Sequence, residues 1–214
     1  MKRIMITSSG FLRKPMREEI IKLLPTERPL KVAYIPTASK VVKDDSYAKK
    51  DVAILNDLGI TVDEIDIAEV QGSELEQRLR NNNFIYAQGG NPYWILKHVK
   101  ESGFDKIVPQ LIEEGMLYVG KSAGAYVLAP EVIIPSWFPN NWRTFGLTDV
   151  TAMGVVPFIW KAHFDPANTE ELEAIKRGKE TSKYPVRVIT NDQGFLITDD
   201  EVKFVGIGEE FKID

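Results

Sequence analysis

Cysteine is absent from this sequence of 214 residues. Its absence excludes a disulfide framework, a thiolate site for zinc or an iron–sulfur cluster, and a cysteine nucleophile. Histidine is nearly as scarce, because the chain contains only two. Any chemistry that depends on histidine therefore rests on His98 or His163, and nucleophilic catalysis would have to use a residue other than cysteine.

Long hydrophobic runs and an excess of positive charge are also missing. No stretch approaches the roughly 20 apolar residues that a membrane-spanning helix needs, and the basic start at residues 1–7 lacks the apolar core of a signal peptide. The net charge is −4, and Lys and Arg are interleaved with acidic residues. We therefore expect a cytoplasmic protein with neither a membrane nor a nucleic-acid partner.

Short apolar runs alternate with helical patterns, which is typical of βαβ units around a mainly parallel sheet. The predicted strands are Arg3–Thr7, Lys31–Ile35, Ile60–Ile67, Phe84–Ala87, Met116–Val119, Val155–Trp160 and Val186–Thr190, followed by a hairpin of Phe195–Thr198 and Val202–Val205. The predicted helices are Pro15–Leu24, Ser46–Leu58, Ser73–Arg80 with a Ser73 cap, one that begins near Pro92, Asp105–Glu114, Ala123–Ala129, and one from Asn168 to Arg177 that Gly178 ends. No repeat or linker divides the chain, so we expect one domain over residues 1–214.

The most informative segment surrounds Ser122. The apolar run Met116–Val119 turns through G-K-S-A-G into small residues that favour a helix. A serine on such a turn projects its hydroxyl above the sheet, and small neighbours allow the strained backbone. The N–H of Ala123 would then point toward a developing oxyanion. The pattern predicts Ser122 as a nucleophile; the alternative is a tight connection in which Ser122 only caps the helix.

A serine nucleophile needs a base, and histidine is the usual one. His163 directly follows an apolar strand, so we expect it at the carboxyl edge of the sheet, where open α/β sheets bind ligands. His98 lies inside a predicted helix, where boundary placement explains it. The segment 89–91 (Gly-Gly-Asn) also follows a strand, and its N–H groups would serve either an oxyanion or a phosphate. The oxyanion role is favoured because the spacing and lysine of a P-loop are missing.

These motifs, in this order and at this spacing, resemble the serine peptidase family of peptidase E (aspartyl dipeptidase) and cyanophycinase. The similarity spans most of the chain and includes Ser8-Ser9 after the first strand and the segment 35–38 (Ile-Pro-Thr-Ala) after the second. It implies an α/β fold with a mainly parallel sheet flanked by helices, like class I glutamine amidotransferases. In that family serine replaces the cysteine of those enzymes.

The resemblance also implies a serine-type peptidase that acts on short peptides without a metal or cofactor. By position, Ser122 is the nucleophile and His163 is the base. The N–H groups of Gly90 and Ala123 form the oxyanion hole. Neither the preferred side chain nor the oligomeric state follows from it.

The third member of the triad departs from the pattern of the family. Where the resemblance implies a glutamate, this sequence has Gln193, with Asp192 beside it. An aspartate would orient the imidazole and stabilise its protonated form, whereas a neutral glutamine would only orient it. We therefore predict Asp192 as the acid, with Gln193, Glu131 and Asp149 as the other candidates.

The residues expected to determine substrate specificity also depart from the pattern of the family. The resemblance implies an arginine after the base that holds an acidic substrate side chain, but the segment Asn168–Lys179 has no clear match. Aspartyl specificity is therefore not carried over to this chain. The aromatic segment Pro135–Thr148 is expected to form either a substrate-side lid or a packing loop.

Two other functions fit parts of the pattern. One is a non-catalytic peptide-binding module, which the replacement of the glutamate by Gln193 would allow. The other is an esterase of the α/β-hydrolase type, whose order of nucleophile, acid and histidine would fit if Asp149 were the acid.

Overall fold

Seven strands form one central sheet in the computed structural model, which describes residues 1–139 and 144–213. The strands of this sheet are β1 (Arg3–Thr7), β2 (Leu30–Ile35), β3 (Ile60–Glu64), β4 (Phe84–Ala87), β5 (Leu117–Lys121), β8 (Gln193–Thr198) and β9 (Glu201–Gly206). They lie in the order β3-β2-β4-β5-β1-β8-β9. The first five pair in parallel, and the antiparallel hairpin β8–β9 adds to the edge at β1. The mainly parallel sheet and the C-terminal hairpin are therefore confirmed.

Helices cover both faces of this sheet. They are α1 (Lys14–Leu23), α2 (Ser46–Asp57), α3 (Gly72–Arg80), α4 (Pro92–Ser102), α5 (Phe104–Glu113) and α6 (Ala123–Tyr126). Helix α7 (Thr169–Thr181) packs instead through Ile175 against Phe164 and Val188. Successive residues of a strand point to opposite faces, so Ile4 and Ile6 of β1 pack into one apolar core and Met5 into the other. Burial on both faces explains why the central strands read as continuous apolar runs rather than alternating ones.

A second, smaller sheet is not hydrogen-bonded into the first, although its residues pack against the same core. It pairs β6 (Ile159–Lys161) in parallel with β7 (Val186–Val188). The sequence predicted both strands as longer, and it predicted that His163 would emerge from the main sheet. His163 instead follows the small sheet, because β6 pairs with β7 and not with β1 or β5.

Two predicted helix ends differ from the structure for identifiable reasons. Helix α7 does not end at Gly178 but continues to Thr181, and the ring of Trp137 packs where a Cβ of Gly178 would stand, 2.2 Å from the nearest ring atom. This glycine therefore serves close packing rather than a helix end. Ser73 does not cap α3, because the helix begins at Gly72 and its N-cap position, Gln71, makes no capping bond through its side chain.

Candidate active site

Ser122 lies on a sharp turn between β5 and α6, as the sequence predicts. Its φ of 48° and ψ of −113° fall outside the conformations that residues other than glycine favour. The backbone N–H of Ser122 donates to the carbonyl of Thr7 at 2.8 Å, so the turn is attached to β1. A Cβ on Gly124 would stand 2.3 Å from the carbonyl oxygen of Ala87. A glycine at position 124 is therefore required by close contact with the end of β4.

The end of β4 brings Gly89 and Gly90 against the serine turn. Gly90 has a φ of 145°, and a Cβ there would stand 2.1 Å from the carbonyl oxygen of Ala38. The next residue, Asn91, caps α4 through its side chain, which accepts from the N–H of Tyr93 and of Trp94. Among the residues that the structure describes, the N–H groups of Gly90 and Ala123 donate to no other group. Both donors are thus available to a ligand.

His163 follows β6 and is held through its backbone and its ring. The backbone N–H donates to the hydroxyl of Ser8 at 3.0 Å, and that hydroxyl donates to the carbonyl of Ile189. The ring Nδ1 lies 2.6 Å from Oδ1 of Asn191. An amide oxygen only accepts, so Nδ1 carries the proton and donates it. The basic lone pair of the neutral imidazole is therefore on Nε2.

The surroundings of His163 favour its neutral form. Although part of the residue is exposed, the protein around the imidazole desolvates it, and this is the main reason why its pKa lies below the ordinary value. The hydrogen bond with Asn191 acts in the opposite direction, while the positive charges of Lys161 and Lys121 lower the pKa further. A histidine that is neutral at physiological pH is suited to accept a proton.

Ser122, His163 and Gly90 line two neighbouring pockets in common. The Tyr47 pocket has a volume of about 390 Å³. It is completed by Ser9, Leu12, Arg13, Tyr47, Gly89, Lys121 and Asn191. The Phe138 pocket has a volume of about 280 Å³. It is completed by Pro92, Tyr126, Ile134, Pro135, Phe138, Lys161, Ala162 and Glu171.

The serine hydroxyl and the imidazole are not hydrogen-bonded to each other in the described part of the chain. Contacts of this kind are often long in an enzyme without substrate and shorten when the substrate binds. Because the two side chains line the same pockets, a substrate that enters either pocket lies beside both of them.

Asp192 and Gln193, the first two candidates for the acid, line neither of these pockets. Asp192 forms a bidentate ion pair with Arg13 at 2.6 and 2.8 Å, which lowers the pKa of its carboxyl group. Gln193 is buried, accepts from the N–H of Thr190 and donates to the carbonyl of Ile207.

The remaining two candidates for the acid also lie away from the serine turn. Asp149 pairs with Lys100 on the surface, and Glu131 forms an isolated bridge with Thr151. Neither lines a pocket that contains Ser122. His98 is packed against Trp94 in α4 and lines neither of them.

The sequence analysis did not identify Asn191, nor the ion pair of Lys121 and Asp51 behind the serine turn. Asn191 is the neighbour of the residue that we predicted, and its type gave no signal, because an amide supplies no charge. Lys121 gave a usable signal, since a lysine at the end of a buried strand needs a buried partner. That partner is Asp51, at 2.6 Å.

The aromatic segment 135–148 is described only in part. Pro135 and Phe138 line the Phe138 pocket, and Phe145 packs against Trp94. The rest of the predicted lid includes residues 140–143, which lie outside the described residues, so the lid stays a prediction.

Two features are absent from residues 1–139 and 144–213. No helix there has the length and apolar character needed to cross a membrane. No group of three or more His, Asp or Glu side chains is arranged to hold a metal ion in that part of the chain.

Comparison with known proteins identifies the family to which the chain belongs. Residues 4–205 match Peptidase family S51. The uncharacterized peptidase Lmo0363 of Listeria monocytogenes is 31% identical over 202 residues, which cover 94% of this chain and 97% of that protein. Peptidase E of Shigella flexneri is 30% identical over 99 residues, covering 46% of this chain and 42% of that protein.

A solved structure agrees with the sequence matches. The crystal structure of a candidate peptidase E from Listeria monocytogenes EGD-e superposes with a TM-score of 0.84 at 28% identity. The superposition covers 97% of this chain and all of the other. The similarity thus extends over the whole sheet and is not confined to the serine turn.

Proposed function

Because the chain belongs to Peptidase family S51 and is a peptidase, we propose that it hydrolyses short peptides with Ser122 as the nucleophile and His163 as the general base. One observation carries the proposal. Both side chains line the same two pockets, and Nδ1 of His163 is already bonded to Asn191. Nε2 is then the nitrogen left to take the proton of the hydroxyl.

The reaction proceeds in two halves. Oγ of Ser122 attacks the carbonyl carbon of the scissile bond while Nε2 of His163 takes its proton, and the imidazolium then gives this proton to the leaving amine. Water, deprotonated by the same imidazole, attacks the carbonyl carbon of the acyl-enzyme. The ester bond to Ser122 then breaks, the imidazolium returns the proton to Oγ, and the acid is released. In each half the tetrahedral oxyanion accepts hydrogen bonds from the N–H groups of Gly90 and Ala123. The absence of other partners for these two donors among the described residues supports that role.

The third member of the triad in this proposal is Asn191 rather than Asp192. A neutral amide that accepts from Nδ1 keeps the imidazole in the required tautomer and orientation, as asparagine does in papain-like proteases. It adds no negative charge, so the pKa of His163 stays below its ordinary value. The ion pair between Asp192 and Arg13 leaves the carboxylate engaged outside the triad.

The test is hydrolysis of a library of dipeptides and tripeptides by the parent protein and by Ser122→Ala. We expect kcat to fall by roughly 10⁴ to 10⁶ if the triad acts as a unit. Labelling by a fluorophosphonate probe should disappear in the same variant. Ser136→Ala is the matched control, because among the described residues its hydroxyl only donates to the carbonyl of Ile133, and it should keep parental activity.

Retained hydrolysis by Ser122→Ala in a clean preparation would refute the assignment. If the parent protein bound peptides but neither cleaved them nor reacted with the probe, it would be a binding module.

A further inference from the structure

A buried ion pair lies directly behind the serine turn. Nζ of Lys121 is 2.6 Å from Oδ2 of Asp51, and the two side chains are only 5% and 0% exposed. Burial of both charges carries a large desolvation cost, and an apolar pair of similar volume often packs as well or better. Oδ1 of Asp51 has no hydrogen-bond partner among the described residues. Stability alone is therefore a poor reason for this pair.

The pair connects α2 to the strand that carries the nucleophile. Asp51 and Tyr47 are four residues apart in α2, so they lie on the same face of the helix. Lys121, the last residue of β5, lies between them, with Nζ 4.9 Å from the centre of the Tyr47 ring. Since Ser122 and Ala123 follow immediately, the position of Lys121 determines where the serine turn begins.

The same aspartate also holds the other strand end of the site. Gln88 is fully buried, and its Nε2 donates to Oδ2 of Asp51 at 2.8 Å and to the hydroxyl of Tyr34 at 2.9 Å. Its Oε1 accepts from the N–H of Gly89 at 2.7 Å. The hydroxyl of Tyr47 donates to the carbonyl of the same glycine at 3.2 Å. Both backbone polar groups of Gly89, the residue before Gly90, are thus held by this network.

One carboxylate oxygen therefore binds the residue before the serine turn and the residue before the glycine pair. We propose that Asp51 is a positioning residue, which fixes the distance between the N–H groups of Gly90 and Ala123 by holding Gln88 and Lys121 together. The inference rests on the proposed function, in which these two groups bind the oxyanion. Asp51 touches neither the substrate nor the reacting atoms, and it acts through the two strand ends.

The experiment compares Asp51→Asn with Asp63→Asn. Asp63 is also held in an ion pair, with Arg78, but it lies on the edge strand β3, far from both pockets. We expect Asp51→Asn to lower kcat by about 10- to 100-fold, the size of effect that a small misplacement of catalytic groups produces. KM should stay within about two-fold. The fluorophosphonate labelling rate should fall in parallel with kcat, because the adduct also places an oxygen among these donors. Asp63→Asn should leave kcat, KM and the labelling rate at the parental values.

A double variant, Asp51→Leu with Lys121→Met, separates positioning from stability. It removes both buried charges, so we expect a thermal midpoint at or above that of Asp51→Asn. Since the amide of Gln88 loses Asp51 as one of its two acceptors, kcat and the labelling rate should stay reduced. If kcat, the labelling rate and the thermal midpoint of the double variant all returned to the parental values, the ion pair would only stabilise the fold. The inference would then be overturned.

Ser122→Ala is run in parallel. If Ser122→Ala is inactive and Asp51→Asn is fully active, this inference alone fails. If Ser122→Ala still hydrolyses peptides, the proposed function fails and the inference fails with it.

Discussion

The nucleophile half and the base half of the candidate site are built by different means. On the nucleophile side, the backbones of β1, β4 and the serine turn touch directly, with the N–H of Ser122 on the carbonyl of Thr7 and Gly124 against Ala87. On the base side, His163 is attached through side chains, with its N–H on the hydroxyl of Ser8 and its ring on Asn191. The position of the serine is therefore set by main-chain packing, whereas the position of the imidazole can be changed one hydrogen bond at a time.

Among the substitutions that test this comparison, the largest effect is expected from Gly124→Ala, which breaks the packed half. The added Cβ would lie 2.3 Å from the carbonyl oxygen of Ala87 and 2.6 Å from that of Gln88, and both are backbone atoms that cannot move independently. We expect kcat to fall by at least about 100-fold, because the serine turn is displaced. The free energy of unfolding should fall by about 1–3 kcal/mol. Peptide hydrolysis and thermal unfolding measure the two changes.

Gly103→Ala is the control for this substitution. No atom lies within 4 Å of its added carbon, but its φ of 82° makes alanine unfavourable there. It should lower stability by about 1 kcal/mol and leave kcat unchanged. Parental turnover in Gly124→Ala would show that the packed half does not depend on this contact.

An intermediate effect is expected from Asn191, which orients the imidazole. Asn191→Ala should lower kcat by about 10- to 100-fold, the usual size for a residue that orients a functional side chain. Asn191→Asp should instead raise the pKa of His163, because a carboxylate favours the charged imidazolium. In the proposed mechanism hydrolysis needs the neutral imidazole, and the pKa of His163 in the parent lies below its ordinary value. The acidic limb of the kcat/KM profile should therefore move to higher pH in Asn191→Asp.

Asp192→Asn is the matched control in the same loop. Its carboxylate pairs with Arg13, so we expect activity within about two-fold of the parent and an unchanged pH profile. A 100-fold loss in Asp192→Asn together with an active Asn191→Ala would return the role of the acid to Asp192.

The smallest effect is expected from Ser8→Ala, which removes one support of the base half. The buried hydroxyl accepts from the N–H of His163 and donates to the carbonyl of Ile189, and both partners lose a hydrogen bond. The cost of such a loss is about 1 kcal/mol, which corresponds to a decrease of roughly five-fold in kcat/KM. Ser182→Ala removes hydrogen bonds with Tyr184 away from the site and should leave kcat/KM unchanged. Equal values for the two variants would argue against a role of Ser8 in holding His163.

The sequence predicts the packed half of the site better than the base half. The strands β1 and β4 have their predicted limits, and the turn at Ser122 lies where the small residues indicated it, because apolar runs and glycines report local backbone demands. The family resemblance is likewise confirmed by the match to Peptidase family S51.

The base half depends on contacts between distant segments, which no local pattern reports. The bond between His163 and Asn191 joins loops that follow β6 and β7, whose separate sheet was not predicted. The pairing of Asp192 with Arg13 is equally invisible, because a carboxylate has the same sequence signal in an ion pair and in a triad. Gly178 failed as a helix end because its role depends on the ring of Trp137, far away in the chain.

The amide of Gln193 joins the C-terminal end of the chain to the loop that carries Asn191. One end of this amide accepts from Thr190, directly before Asn191, and the other donates to the carbonyl of Ile207, after β9. A displacement of the segment that follows β9 would thus be passed on, through this amide, to the loop that carries the partner of the imidazole.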